Sequence, residues 1–364
     1  PTGTFTSLLA EGIIPGLGGI LIFIPQIALL FFFLSLLEES GYMSRVVFLM
    51  DRGLRKFGLS GKSVIPLISG TACAIPAVMA TRNIENWRER LITILVTPFT
   101  TCSARLPVYA ILISLVIPNQ GFYQGMTLMG LYLLGFIMAL VSSWILSKIL
   151  KFNSKSYFVV EMPNYKLPLL KNVLITVLEK TKTFVVEAGK IIMAISILLW
   201  IMASYGPGKN FSYAAEIVQQ EQPQLNNEQL ETKINAYKLE HSYIGILGKS
   251  LEPAIAPLGF DWKIGIALIS SFATREVFVG TLATIYHVES DSEETIKNRM
   301  ASEVRQDGSP LFNLATGISL MLFYAFAMQC MSTLAIVKKE TNGWKWPMIQ
   351  LFSMTLLAYL AAFT

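Results

Sequence analysis

The chain has 364 residues, enough for two or three soluble domains, yet only 15% of them are charged, 53% are in the AVILMFWYC set, and mean hydropathy is +0.54. Average soluble domains carry roughly 25% charge, so lipid must be the solvent for much of this chain; disorder, collagen and coiled coil are excluded, as is a disulfide framework with three Cys. The net charge of +5 is read as Lys and Arg on cytoplasmic loops, with no nucleic-acid partner.

The opening Pro1-Thr-Gly-Thr has no Met and no charged region before the apolar core, and reads as a piece of something longer rather than a secreted precursor. A membrane-crossing helix needs ~20 mostly apolar residues. Residues 13–37, 91–117, 122–147, 184–205, 311–337 and 346–363 meet that requirement. Two further segments are interrupted: 63–81 by Pro66, Gly70 and Pro76, and 264–286 by Arg275 and Glu276.

Lys and Arg set the expected orientation. The short connections 38–62, 82–90, 148–182 and 338–345 hold 18 of the 29, whereas 206–249 and 287–310 hold seven, with 11 Asp and Glu. The positive-inside rule makes the first four cytoplasmic and the last two external. Residues 63–81 then lie between two cytoplasmic loops and 264–286 between two external ones. Each is expected to enter and return, or to be a broken helix pair, one from each side.

An ungapped alignment of residues 58–78 with 259–279, at an offset of 201, gives eight identical pairs in 21, among them Gly58/Gly259, Lys62/Lys263 and Ser69/Ser270. The order of elements repeats as well. The expected fold is therefore all-α: a polytopic helical membrane protein of two inverted repeats, each with an interrupted helix. The first repeat is assigned residues 1–150, a cytoplasmic linker 151–183, and the second repeat 184–364 with external insertions 206–249 and 287–310. Inverted repeats around broken helices are characteristic of transporters with a site near the midplane.

Gly61-Lys62-Ser63 and Gly248-Lys249-Ser250 resemble the tail of a phosphate loop, but the glycine required five residues earlier is Lys56 or Tyr243, so neither is a nucleotide site. Cys73, Cys102 and Cys330 all fall in apolar segments. Each is either a small buried hydrophobe or a soft ligand for a cation. Cys73 precedes Pro76, expected to break its helix, and Cys102 and Cys330 occupy corresponding spans. Both histidines, His241 and His287, fall in external loops, which removes an intramembrane imidazole site. Arg105, Glu187, Lys190, Arg275 and Glu276 are expected within the hydrocarbon layer, at about 3 kcal/mol each even by low estimates. Glu187 and Lys190, three apart on one helix, are expected to neutralise each other. Glu38 and Glu39 end the first span, either as an interfacial turn or as a cation vestibule.

These segments resemble the membrane domain of the bacterial ferrous iron transporter B family over nearly the whole chain. The similarity rests on Gly16-Leu-Gly-Gly, Phe23-Ile-Pro-Gln26, Leu37-Glu-Glu-Ser-Gly-Tyr-Met-Ser-Arg45, Cys73-Ala-Ile-Pro-Ala-Val-Met-Ala-Thr-Arg82 and Cys102-Ser-Ala-Arg-Leu-Pro-Val-Tyr109. It continues through Glu161-Met-Pro-Asn-Tyr-Lys-Leu-Pro168, Pro257-Leu-Gly-Phe-Asp-Trp-Lys263, Arg275-Glu-Val277 and Gln329-Cys330. The resemblance implies two "gate" repeats moving Fe²⁺ into the cytoplasm across the bacterial cytoplasmic (inner) membrane. It implies an N-terminal GTP-binding domain, using GTP and Mg²⁺, that precedes these residues and controls transport; this chain would be no enzyme itself. It also admits small cytoplasmic accessory proteins and a homo-oligomer as partners. Cys73 would be the gate cysteine of the first repeat and Cys330 that of the second. Ala72 and Thr274 stand where many relatives have Gly and Ala.

The expected mechanism has the Cys73–Pro76 and Arg275–Glu276 breaks facing each other, with Cys73, Cys102 and Cys330 supplying sulfur and Glu276, Glu39 and Glu38 carboxylate along the route. Two rivals stand beside it. A nucleoside or other organic-solute carrier would want convergent Asn and Gln, which the interrupted segments lack. An intramembrane thiol enzyme would want paired thiols or a Cys–His pair.

Overall fold

The computed structural model describes residues 4–117, 121–150, 165–207, 217, 219, 230, 234, 237–272, 275, 277–285, 311–328 and 330–363. Among them no strand occurs. Two helical turns, Thr4–Ser7 and Leu8–Ile13, lead into α1 (Ile14–Glu39). α1 is apolar all round, as suits a helix bathed in lipid, and Leu21, Ile22 and Leu29 stand exposed on it. Gly41, at φ 79°, turns the chain into the amphipathic α2 (Tyr42–Leu54).

The expected interrupted segment is two helices, α3 (Val64–Ala72) and α4 (Ala74–Ala80), which pack against each other across the break. At nine and seven residues, neither alone is long enough to cross a bilayer. After them come α5 (Trp87–Val96), α6 (Leu106–Val116), α7 (Gly121–Ile149) and α8 (Leu170–Ser204). The remaining helices are α9 (Tyr243–Ile255), α10 (Trp262–Ser270), α11 (Val277–Ile285), α12 (Leu314–Phe326), α13 (Met331–Thr341) and α14 (Lys345–Phe363). Side-chain caps define several starts: Asn86, Asp261 and Asn313 accept from the N–H of Arg88, Ile264 and Thr316 at 3.0, 2.9 and 2.8 Å.

Among the described residues six stretches are long and apolar enough to cross a membrane: Gly16–Glu39, Trp87–Val116, Gly121–Ile149, Leu170–Ser204, Leu314–Thr341 and Lys345–Phe363. They are the six read from hydropathy. Two of them, α5–α6 and α12–α13, are broken midway.

The offset of 201 persists in the backbone. α2 and α9 begin and end at equivalent positions, and each runs into a 3₁₀ turn, Arg55–Phe57 or Ala256–Leu258. Each turn closes on a left-handed glycine, Gly58 at φ 78° or Gly259 at φ 82°. The following N–H then reaches back, Leu59 to the carbonyl of Leu54 at 3.2 Å and Phe260 to that of Ile255 at 3.3 Å. A side chain at these positions would be strained, which is why glycine occupies both.

Leu67, Ile92 and Tyr109 share one buried cluster with Ile264, Leu320 and Tyr324, so residues from both expected repeats pack in a common core. A second cluster, including Ile27, Val78, Phe184 and Ile336, joins α1 and α8 to α4 and α13. α8 lies along α1, and α13 against α4. The space between these four helices and the broken spans is where the candidate site lies.

Candidate functional site

Three helix breaks carry the three cysteines. Cys73 is extended (φ −154°, ψ 132°) between α3 and α4, its N–H closing α3 on the carbonyl of Ser69 at 3.0 Å. Pro76, in the first turn of α4, has no N–H for the carbonyl of Ala72. The Ser103 hydroxyl supplies the missing donor, at 2.9 Å. Cys102 (φ −87°, ψ 160°) opens the turn Ser103–Arg105 ahead of Leu106-Pro107. Cys330 (φ −153°, ψ 101°) stands directly before α13.

Hydrogen bonds staple the breaks in pairs. In the first half Ser103 holds Ala72. In the second, the Met331 N–H donates to the carbonyl of Phe272 at 3.1 Å, and the Tyr324 hydroxyl to that of Arg275 at 2.9 Å. Backbone groups that an unbroken helix would satisfy internally are thus used to hold one break against another.

All three breaks open on one cavity, lined by Cys73, Cys102, Cys330, Arg275 and Gln26, with Phe23, Ile27 and Phe184 among its apolar walls. No cysteine is disulfide-bonded; Cys102 is buried, Cys73 and Cys330 half-buried. Among the described residues no three His, Cys, Asp or Glu side chains are grouped closely enough to hold one ion together. The thiols therefore line a space rather than form a preassembled chelate.

Electrostatics constrain what the space accepts. Arg275 lines the cavity at 6% exposure, and Arg105 is fully buried within electrostatic reach of it. The Arg105 Nη2 donates to the Pro98 carbonyl at 3.4 Å, while its Nε and Nη1 have no hydrogen-bond partner among the described residues. A dication entering beside guanidinium needs anionic ligands, so thiolate sulfur is the form compatible with binding.

Two of the remaining expected site residues, Glu38 and Glu39, lie elsewhere. Glu38 is exposed and Glu39 half-buried at the C-terminal end of α1, where Glu39 accepts from Asn172 Nδ2 at 2.8 Å. Leu30 is the last residue of α1 to line the cavity, and from it to Glu38 the helix rises about 12 Å, so neither carboxylate is among the lining residues. Glu276 and His287 lie outside the described residues. His241 stacks on Tyr237 at 4.4 Å, and its Nδ1 lies 3.0 Å from that residue's carbonyl oxygen. Glu187 does not pair with Lys190 as expected. Lys339, reaching from α13, donates to it instead, while Lys190 is exposed. A partner on a neighbouring helix is invisible to i,i+3 spacing. Gln26 was missed as a site residue, although an amide near the middle of an otherwise apolar span is the signal that finds it.

A family model described as Gate, nucleoside recognition, matches residues 20–115 and 185–344, and one described as ferrous iron transport protein B C terminus matches 128–180. The Fe(2+) transporter FeoB of Leptospira interrogans serovar Lai is 46% identical over 99% of this chain and 50% of its own length. That of Methanocaldococcus jannaschii is 38% identical over 98% of this chain and 48% of its own. A Porphyromonas gingivalis relative, a fusion of Fe(2+) transport protein A with Fe(2+) transporter FeoB, is 37% identical over 100% and 44%. The chain thus spans about half the length of these curated relatives. No solved structure matches it.

Proposed function

We propose, from the premise that the chain belongs to the Gate family and to the membrane part of the ferrous iron transport protein B family, that it forms the path by which Fe²⁺ crosses a bacterial cytoplasmic membrane toward the cytoplasm. The observation that carries this reading is the convergence of Cys73, Cys102 and Cys330, from three separate helix breaks, on one cavity. Thiolate is a soft ligand that favours Fe²⁺ over Mg²⁺ and Ca²⁺. The two repeats, 1–150 and 184–364, run antiparallel through the membrane and bring their breaks together there; the equivalent α2 and α9 and the paired Gly58 and Gly259 support that division. Glu276, beside Arg275, adds carboxylate to the path, and Glu38 and Glu39 serve its cytoplasmic mouth.

The relatives are about twice this length, and in our reading a GTP-binding domain using Mg²⁺ in the remainder controls transport. This chain itself is a conduit and no enzyme. The fusion relative supports a small protein of the transport protein A kind as a partner. A nucleoside cargo is less well served, since Gln26 is the one amide, and no carboxylate occurs, among the described residues lining the cavity.

The test is Fe²⁺ uptake by full-length protein in proteoliposomes. Changing Cys73 and Cys330 together to Ser is expected to cut uptake at least tenfold while insertion and size-exclusion behaviour stay unchanged. Wild-type uptake by that double variant would overturn the sulfur path, and saturable uridine flux would support the nucleoside reading.

A further inference from the structure

Gln26 sits about midway along α1, flanked by Pro25 and Ile27 in a span otherwise built for lipid. Moving an amide from water into hydrocarbon without partners costs several kcal/mol, so its side chain must be answered by polar groups. One partner is plain: the Gln26 Nε2 donates to the Ser103 Oγ. The direction of that bond is dictated by the next one. Ser103 has a single hydroxyl proton, already given to the carbonyl of Ala72, so toward Gln26 it can only accept. The amide must therefore turn its nitrogen to Ser103 and its Oε1 away from it. No hydrogen bond to that Oε1 occurs among the described residues, and the side chain is exposed to the cavity that the three thiols line.

We propose that Gln26 is a cation ligand of this path, contributing a neutral oxygen, and that Ser103 is the residue that positions it. The inference rests on the cysteine-lined path described above and adds a donor from outside the broken segments. The relay Gln26–Ser103–Ala72 begins at the carbonyl released by Pro76, so the break that presents Cys73 also aims the amide. An oxygen among sulfurs has a chemical consequence. Sulfur alone favours the softest cations, whereas a mixed set shifts preference toward borderline and harder ions such as Fe²⁺ and Mn²⁺. The neutral amide does so without adding charge that would slow release.

The experiment compares Fe²⁺, Mn²⁺ and Cd²⁺ uptake by full-length protein in proteoliposomes at subsaturating metal. Gln26→Leu is expected to lower Fe²⁺ and Mn²⁺ uptake about tenfold, within the range that perturbing a metal site's supporting groups produces, and Cd²⁺ by less than about twofold. Gln26→Met, which puts a thioether in place of the amide on an unbranched chain, is expected to tilt the Fe²⁺:Cd²⁺ ratio further toward Cd²⁺. Ser103→Ala should move the ratio in the same direction by less. Should Gln26→Leu not reach the membrane, the Met variant carries the comparison. A wild-type ratio in the Gln26 variants, or an equal loss of all three metals, overturns the ligand role and leaves a purely structural amide. Cys73→Ser, run in parallel, separates the two readings: its loss of every metal alongside unchanged Gln26 ratios sinks this inference alone, and its retention of all three sinks the sulfur path beneath it.

Discussion

Replacing Glu340 by Gln removes one negative charge, keeps the side chain's shape, and strikes a bond that spans the two halves of the molecule. The Glu340 carboxylate is 3% exposed. It accepts from Arg82 through Nε at 2.9 and 3.1 Å and Nη2 at 2.5 Å, and from Arg90 Nη2 at 2.6 Å. Arg82 lies in the turn after α4, the helix that begins beside Cys73; Glu340 lies near the end of α13, which begins beside Cys330. The triad therefore ties the far ends of the two helices that present those cysteines. Breaking a fully buried ion pair costs about 3–5 kcal/mol. Arg82 and Arg90 are 48% and 23% exposed, so water replaces part of what is lost, and about 2–3 kcal/mol is expected here.

The Arg82 guanidinium is held above its ordinary pKa, first by its hydrogen bond to Glu340. A raised cationic pKa gives stability that is complete at neutral pH and lost only as strong alkali strips the proton, so the effect should be flat from neutral to mildly alkaline pH. Equilibrium unfolding in mixed SDS–lipid micelles measures it, with a double-mutant cycle pairing Glu340→Gln and Arg90→Gln. A coupling energy above about 1 kcal/mol is expected. Additivity within about 0.3 kcal/mol would refute the claim that the triad acts as a unit.

Gly58→Ala should destabilise by more than about 2 kcal/mol. The left-handed conformation alone costs roughly 1–2 kcal/mol, and a Cβ would stand 2.2 Å from that of Ser147. Gly53→Ala, in the last turn of α2 with nothing within 4 Å of an added Cβ, should instead stabilise by about 0.4–1 kcal/mol in the same unfolding assay, through the lost freedom of the unfolded chain. In a background with the three native cysteines changed to Ser, single cysteines at Glu228 and Arg299 should react with an impermeant maleimide from one face, and those at Arg52 and Lys155 from the other. Labelling of positions 228 and 299 from opposite faces would end the antiparallel arrangement.

Much of the fold is legible in hydropathy because a bilayer accepts only segments that satisfy their own backbone and show apolar surface, and those two demands are written locally. The six spans follow from that alone. So does the interruption at 63–81, since Pro76 has no proton for the carbonyl of Ala72 wherever the segment lies. The pairing of Gly58 with Gly259 was legible in the alignment, whereas the left-handed turn that requires glycine at both positions is seen only in the backbone.

What local chemistry could not determine is which broken ends meet. That Cys73, Cys102 and Cys330 line one cavity, while Glu38 and Glu39 stand about two turns beyond it along α1, depends on how α1, α4, α8 and α13 pack. Glu187 shows the same limit: Lys190 is its neighbour by spacing, yet Lys339 reaches it across a helix interface. The orientation of the Gln26 amide needs Ser103 and Ala72 brought together from distant parts of the chain. Composition and proline placement determine where helices form and fail, because those energies act within a turn or two. Which failures share a cavity is decided by side-chain packing between helices far apart in sequence, and only the tertiary structure contains it.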